Sequence, residues 1–285
     1  MKILNLFAKK CTYCGERTGI FKSAHARCHK QSLDAKQRIL DLMIDSFKKK
    51  EDFVKLKPKL EKIAHENFID DLLLTKISAY VYKQIAEACI DQAKWSVEVE
   101  EILYKFQDAF SPDTQHLVLW GVPSKVRNAM IIHSLERGVI PYEDTADGIS
   151  VGILFQRGEK PVYNHLGASL FQQVTRTHYR GGHAGFSFRV ARGLYFRSGG
   201  FRGEPVSTTE MKEIDYGDVV ITDKNFYFKS PAKSLRIPFT KIISLEPYSD
   251  GLGIQTDGAR SQTMIMQGVN GWFMYNMISL LVQIK

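Results

Sequence analysis

The sequence predicts an α+β multidomain chain: a small cysteine-rich knuckle, then a helical layer, then a run of antiparallel strands closed by one terminal helix. Three observations predict it. Three of the four cysteines fall within eighteen positions, Cys11 to Cys28. Apolar residues recur at helical spacing from Ser32 to about Phe110, and from Gly148 onward glycine punctuation and two-residue alternation replace that period. At 285 residues and 44% hydrophobic, the chain can bury one large core or two modest ones, which excludes a mainly disordered protein. The net charge of +8 is distributed as +9 over residues 1–60, −7 over 61–150 and +6 over 151–285. Blocks of opposite sign point to units that meet different surroundings, and the basic ends suit an anionic partner without requiring one.

The first unit, residues 1–31, is a zinc knuckle. Cys11-Thr12-Tyr13-Cys14-Gly15 and His25-Ala26-Arg27-Cys28-His29 supply two i, i+3 ligand pairs separated by ten residues. Zinc takes four N/S ligands at tetrahedral angles, and each short pair wraps the metal from a tight turn, which Gly15 permits after the first pair. Cys11, Cys14 and Cys28 are three of the ligands. His29 competes with His25 for the fourth place, and His25 is favoured because it restores the i, i+3 symmetry. Four protein ligands leave no position for water, so the expected Zn2+ site is structural and folds a segment too short for its own core. Lys9, Lys10, Arg17, Lys22, Arg27 and Lys30 surround it. They keep the knuckle soluble or dock it on the acidic helical layer; contact with nucleic acid is the other reading. The apolar stretch Ile3–Ala8 is too short for an export signal and runs into lysines, so the chain is expected in the cytosol.

The second unit, residues 32–137, is helical. Ser32-Leu33-Asp34 predicts a helix start, followed by Ile39, Leu42, Met43 and Phe47; then Phe53, Leu56, Leu60 and Ile63; then Leu72, Leu73, Ile77, Val81 and Ile85. Ser96 offers an N-cap with acids behind it, and Ser111-Pro112-Asp113 ends one helix and starts another. Cys89, between Ala88 and Ile90, reads as a small core residue. Residues 125–137 are helical again.

The third unit, residues 138–285, is built of strands. Phe186/Phe188/Val190, Leu235/Ile237/Phe239, Ile243/Leu245 and Leu252/Ile254 alternate with polar neighbours, as half-buried antiparallel strands do. Asp223-Lys224-Asn225 and Asp257-Gly258 are the hairpin turns. Helical spacing returns at residues 269–284, where Trp272 and Phe273 are expected to be buried.

Leu154-Phe155-Gln156-Arg157-Gly158-Glu159, Arg192-Gly193-Leu194-Tyr195-Phe196, the stretch Gly217-Asp218-Val219-Val220-Ile221-Thr222-Asp223 through Phe228, and Ile237-Pro238-Phe239-Thr240-Lys241-Ile242 through Tyr248-Ser249-Asp250-Gly251 resemble the bacterial pleckstrin-homology-like (PH-like) domain family over about 135 residues. The resemblance implies a curved, partly open antiparallel β-barrel capped by the C-terminal helix, often preceded by a zinc ribbon or small helical domain. It carries over no catalytic residue and implies an interaction surface. Residues 87–110 are similar to the helix pair of tellurite-resistance-type helical domains, with Asp91 in an altered acidic loop.

No acidic residue stands between Glu159 and Glu204, whereas Lys160, Arg176, Arg180, Arg189, Arg192, Arg197 and Arg202 do, interleaved with aromatic residues. Such a run suits bidentate contact with phosphate or with a partner's carboxylates, and Arg176, Arg180, Arg189 and Arg197 are the candidate partner-binding residues. The competing reading pairs them with Asp215, Asp218 and Glu246 inside the strand unit. His165, His178 and His183 have no nucleophile motif, phosphate loop or carboxylate pair beside them. The one enzyme class worth naming is a nuclease with His25 or His29 as base. The sequence therefore predicts a non-enzymatic, zinc-containing binding or assembly protein. Its partner is another protein or a second copy of the chain, with anionic lipid a weaker choice. The alternative is a nucleic-acid-associated protein using the basic knuckle and the Arg176 to Arg202 stretch.

Overall fold

The computed structural model describes residues 9–19, 22–143, 152–178, 187–191, 194–197, 206–257 and 263–284, and for residues 174–178, 187–191, 194–197 and 206–209 it describes the backbone. The chain divides into two units, Met1–His133 and Ser134–Lys285.

Unit 1 holds helices α1 (Ala26–Lys48), α2 (Phe53–Glu66), α3 (Asp71–Asp91), α4 (Val97–Phe110) and α5 (Thr114–Leu119), and most of α6 (Val122–Glu136), whose last turn contains the division. The predicted start at Ser32 is wrong. α1 begins six residues earlier and Ser32 is fully buried in its interior, on the stripe Ser32, Ala35, Ile39, Met43 and Ser46. A break after residue 31 therefore falls inside a continuous helix. The other helix signals act as their chemistry requires. Asp52, Asp70, Ser96 and Asp113 each accept a backbone N–H at the start of α2, α3, α4 and α5. Ser111 closes α4 in the left-handed region at φ 45°. Phe53, Tyr82, Phe106 and Phe110 meet at the centre of the unit, with Phe106 and Phe110 rings 4.8 Å apart. Leu72, expected inside, is 62% exposed because it sits in the first turn of α3, clear of the stripe Ser78, Val81, Tyr82 and Ile85.

Unit 2 contains β1 (Pro161–His178), β2 (Ser187–Ala191), β3 (Leu194–Arg197), β4 (Val206–Thr222), β5 (Asn225–Lys229), β6 (Ser234–Pro238), β7 (Ile242–Tyr248), β8 (Gly251–Thr256), β9 (Met264–Gln267) and the helix α7 (Gly271–Gln283). Seven strands form one antiparallel sheet in the order β6-β5-β4-β1-β9-β8-β7, and β2 and β3 form a separate hairpin. The sheet is not closed: β6 and β7 are its two edges. Its backbone is the long ribbon of β1 and β4, paired from Pro161↔Thr222 to His178↔Val206. The ribbon is bent at a register shift between His165 and Ala168. Gly167 takes φ 80° there, and its N–H donates to Asp218 Oδ1 at 3.1 Å.

Side-chain alternation is kept where the ladder is regular and lost where it is not. Ile237 is buried, as its period predicts, but Ile243 is 61% exposed. A shift between Ile242 and Ser244 lets β7 spend one extra residue against β8, which turns Ile243 outward. The helix α7 lays Phe273, Met274, Met277, Ile278 and Leu281 on the sheet, and the Phe273 ring stands 4.9 Å from that of Tyr163. Trp272, expected inside, is 63% exposed; it lies on the opposite side of the helix from Met274 and Ile278. A hairpin turn joins β4 to β5 at Asp223-Lys224, with Asn225, counted in the expected turn, already the first residue of β5; Gly258 of the other expected turn lies outside the described residues.

One carboxylate in unit 2 has no counterpart in the sequence reading. Glu159 is buried, and four donors converge on it: Thr222 Oγ1 at 2.5 Å and Asn225 Nδ2 at 2.6 Å on Oε1, Gln156 N at 2.7 Å and the Tyr227 hydroxyl at 2.8 Å on Oε2. Burial pushes its pKa up, but the hydrogen bonds outweigh that and hold the carboxyl below the usual glutamate range. Burial and the same hydrogen bond push the Tyr227 hydroxyl up to about 12. Four donors, with no cation paired to it among the described residues, make this a fully satisfied ionised group that ties the segment before β1 to the β4–β5 hairpin.

Candidate metal centre

A short turn and a helix start build the knuckle. Lys10 and Arg17 form an isolated antiparallel bridge, and between them Cys11 N donates to Glu16 O at 2.7 Å and Gly15 N to Cys11 O at 3.0 Å, with Gly15 at φ 73°. This turn presents Cys11 and Cys14 on one side. The chain returns through Thr12 N to Ser23 O at 3.0 Å, and α1 then begins with His25 at its N-cap and Cys28 in its first turn. No side-chain oxygen caps α1; instead His25 N donates to Cys11 Sγ at 3.4 Å. Thiolates are suited to this place, because the helix N-terminus carries partial positive charge and unpaired N–H groups.

The Sγ atoms of Cys11, Cys14 and Cys28 and a ring nitrogen of His25 all lie within 4.8 Å of one another. His25 Nδ1 is 3.3 Å from Cys14 Sγ and 3.8 Å from Cys28 Sγ. A tetrahedral site with ordinary metal–sulfur and metal–nitrogen bond lengths has edges of about 3.5 to 3.8 Å, so the four groups fit one ion. His25 Nε2 lies 3.0 Å from the Arg17 carbonyl oxygen. With the proton on Nε2 donated to that oxygen, the Nδ1 lone pair is free to face the three sulfurs. His29 is not in the cluster. Its ring faces Tyr13 at 6.1 Å between centroids. The acceptor at Arg17 is a backbone atom, which no reading of residue types can find.

The closeness of the sulfurs drives two of the thiols apart in pKa. Burial pushes the Cys11 thiol up, but hydrogen bonds from the backbone of Cys14, His25 and Tyr13 and from the Cys14 side chain bring it down to about 6. Burial pushes the Cys28 thiol up, and Cys14 and Cys11 push it further, to about 11. Three thiols this close cannot all ionise without a positive charge between them, and a divalent ion makes the thiolate the preferred form of each. Cys11 is buried, and the other three ligands are half-buried. Among the described residues this is the group able to hold a metal ion, and Asp91 of α3 takes no part in one.

The other candidate residues are more dispersed. Arg180 and His183 lie outside the described residues. Arg176 is paired with Thr208 on the β1–β4 ribbon, and the β2–β3 register sets Arg189 opposite Tyr195 and Arg197 opposite Ser187, but the side chains of these arginines lie outside the described residues. The carboxylates offered as their internal partners have other contacts: Asp215 accepts from Ser230 Oγ and Tyr216 N, Asp218 from Gly167 N, and Glu246 from the Tyr248 hydroxyl. His165 and His178 are thirteen residues apart on β1, about 40 Å along an extended strand, and the His178 side chain lies outside the described residues. Among the described residues no helix is long and apolar enough to cross a membrane.

No family model and no curated protein matches the chain. Among solved structures, a match is the complex of the PDZ-RhoGEF DH/PH domains with GTP-γ-S-activated RhoA, at 12% identity and a TM-score of 0.26, covering 92% of this chain and 71% of that one. A likeness of that size assigns neither a fold nor a partner.

Proposed function

We propose that the chain is a non-enzymatic binding or assembly protein in which a structural Zn2+ folds the N-terminal knuckle and a PH-like β unit presents the interaction surface. The observation that carries this reading is the complete ligand set. Cys11, Cys14, His25 and Cys28 can supply all four ligands of one ion, which would leave no position for a hydrolytic water. A zinc bound there fixes the two turns against the start of α1, and its binding energy is folding energy for residues with almost no core of their own.

Two features support the PH-like reading of unit 2. Its strand order, a four-strand meander β1-β4-β5-β6 whose first strand also pairs with β9 of a β7-β8-β9 meander, gives a bent open sheet, and α7 then covers it. An open sheet with a covering helix is in keeping with the partly open, helix-capped shape implied by the sequence resemblance. The proposed partner face is the Arg176, Arg180, Arg189 and Arg197 stretch, and the partner is a protein or a second copy of the chain. Immobilised wild-type chain and its Arg176→Glu/Arg180→Glu variant are compared for retention of protein from native lysate, with and without nuclease. Retention by wild type that is lost in the variant at unchanged Tm is expected. Equal retention overturns the arginine face, and retention abolished by nuclease replaces the protein partner with nucleic acid.

A further inference from the structure

One face of α1 in unit 1 carries three cations against a single carboxylate. Arg27, Lys30, Gln31, Asp34 and Arg38 follow one another at i, i+3, i+4, i+7 and i+11 and so share a side of the helix. Together with Ile63 of α2 and Asn67, which ends it, they line a groove of about 460 Å³. Ile63 is buried at its floor, and Gln31 Nε2 donates across it to Asn67 Oδ1 at 3.1 Å. Arg27, Lys30 and Arg38 are exposed, and among the described residues none of them makes an ion pair, even though Asp34 is four residues from both Lys30 and Arg38. Elsewhere in the unit Lys50 is paired with Glu98, and Lys83 and Lys125 share Glu87.

A second feature adjoins the groove. Phe68 follows Asn67 directly, and Tyr13 of the knuckle lies 6.0 Å from its ring and 6.1 Å from that of His29 on α1. Phe68 is 36% exposed and holds φ 61°, a conformation that is strained for a bulky residue and costs glycine nothing. A large ring is thus kept where the backbone favours no side chain. A membrane surface would need a broad flat or convex basic face, and the acidic side chains of a peptide do not supply a ring beside each negative charge. Phosphates spaced along a flexible strand, with unpaired bases to stack, match both features.

We propose that the α1–α2 groove and the adjoining Tyr13, His29 and Phe68 rings bind single-stranded nucleic acid: Arg27, Lys30 and Arg38 contact the phosphates and the rings stack on bases. The proposal extends the binding reading above to a second surface and does not involve the strand unit.

The test uses the full zinc-loaded chain and fluorescence anisotropy with an oligothymidylate of roughly a dozen nucleotides, the oligouridylate in parallel, a duplex of equal length, and phosphatidylserine vesicles. Wild type is expected to bind the single strands more tightly than the duplex. Arg27→Glu/Lys30→Glu/Arg38→Glu should weaken binding about tenfold or more and flatten the plot of log K against log salt by about 2, since each phosphate contact on a single strand contributes a slope of about 0.7. Phe68→Gly relaxes the backbone and removes the ring, so it should weaken binding several-fold while leaving the salt slope unchanged. Should the triple variant lose its zinc, Arg38→Ala, remote from the ligands, decides by a two- to fivefold loss. No binding by wild type at low salt, unchanged binding by the variants, or binding of vesicles in place of oligonucleotide overturns the proposal. If it fails while lysate retention still depends on Arg176 and Arg180, only the groove assignment falls.

Discussion

At the residue scale, the metal set depends on four side chains and one carbonyl. Cys14→Ser removes a ligand whose sulfur is 3.3 Å from His25 Nδ1, so the purified variant should contain no stoichiometric zinc, and elemental analysis of wild type should give one per chain. His25→Ala should lose the metal and His29→Ala keep it, because only the first ring lies among the sulfurs. The reverse result would show that the wrong histidine has been assigned. The same residue-by-residue reasoning applies to α7. Phe273→Ala should cost about 3–5 kcal/mol in denaturant unfolding, whereas its neighbour Trp272, largely in water, should cost less than about 1 kcal/mol on substitution by alanine.

At the element scale, Glu159 is the tie between the segment before β1 and the β4–β5 hairpin. Its folded pKa lies below the ordinary glutamate value of 4.5. The sign follows from linkage: the unfolded state binds the proton more readily, so the stabilisation is fully present above pH 4.5 and is lost as the pH falls through the lower folded value. Melting of unit 2 followed from pH 7 down to pH 3 should show this loss, and Glu159→Gln should flatten it. That variant should also be less stable at pH 7 by roughly 1–3 kcal/mol, because its amide N–H₂ faces donors in place of an acceptor. Where α7 begins, the elements meet as closely as backbone allows. A Cβ on Gly271 would overlap the Gly251 carbonyl oxygen and stand 2.5 Å from that of Tyr248, so Gly271→Ala should lower the Tm of unit 2 by shifting the helix off the β7–β8 turn.

At the scale of the whole molecule, two cores imply two responses. Phe106 and its ring neighbours centre one core, and Phe226, Phe228, Phe273 and Leu252 fill the other. A fragment of residues 138–285 retains every strand and α7, and it should be soluble and unfold cooperatively. A chelator should lower the Tm of unit 1 in the full chain and leave that fragment unaffected, since all four ligands lie in unit 1. A fragment that unfolds without cooperativity would show that unit 2 depends on the rest of the chain.

The sequence by itself determined what is written within a few residues: the two candidate ligand pairs around Cys11 and Cys28, the caps at Ser96 and Asp113, a turn at Asp223-Lys224, and the change from helical to strand period after α6. Each is a local rule of backbone and side chain, so it acts before any distant contact forms. Tertiary structure decided what depends on partners far along the chain. It placed His25 among the sulfurs and His29 against Tyr13. It buried Ser32 in a helix that starts at the candidate metal ligands, and it turned Trp272 outward on a helix that is apolar on nearly every side. It also gathered on Glu159 donors from residues 63 to 68 positions away. Periodicity reports that a helix or strand has an apolar face, but it does not report a bulge such as that at Ile243, which reverses the face by one residue. Nor does it report which cations remain unpaired, and the groove along α1 exists only because α2 packs beside it.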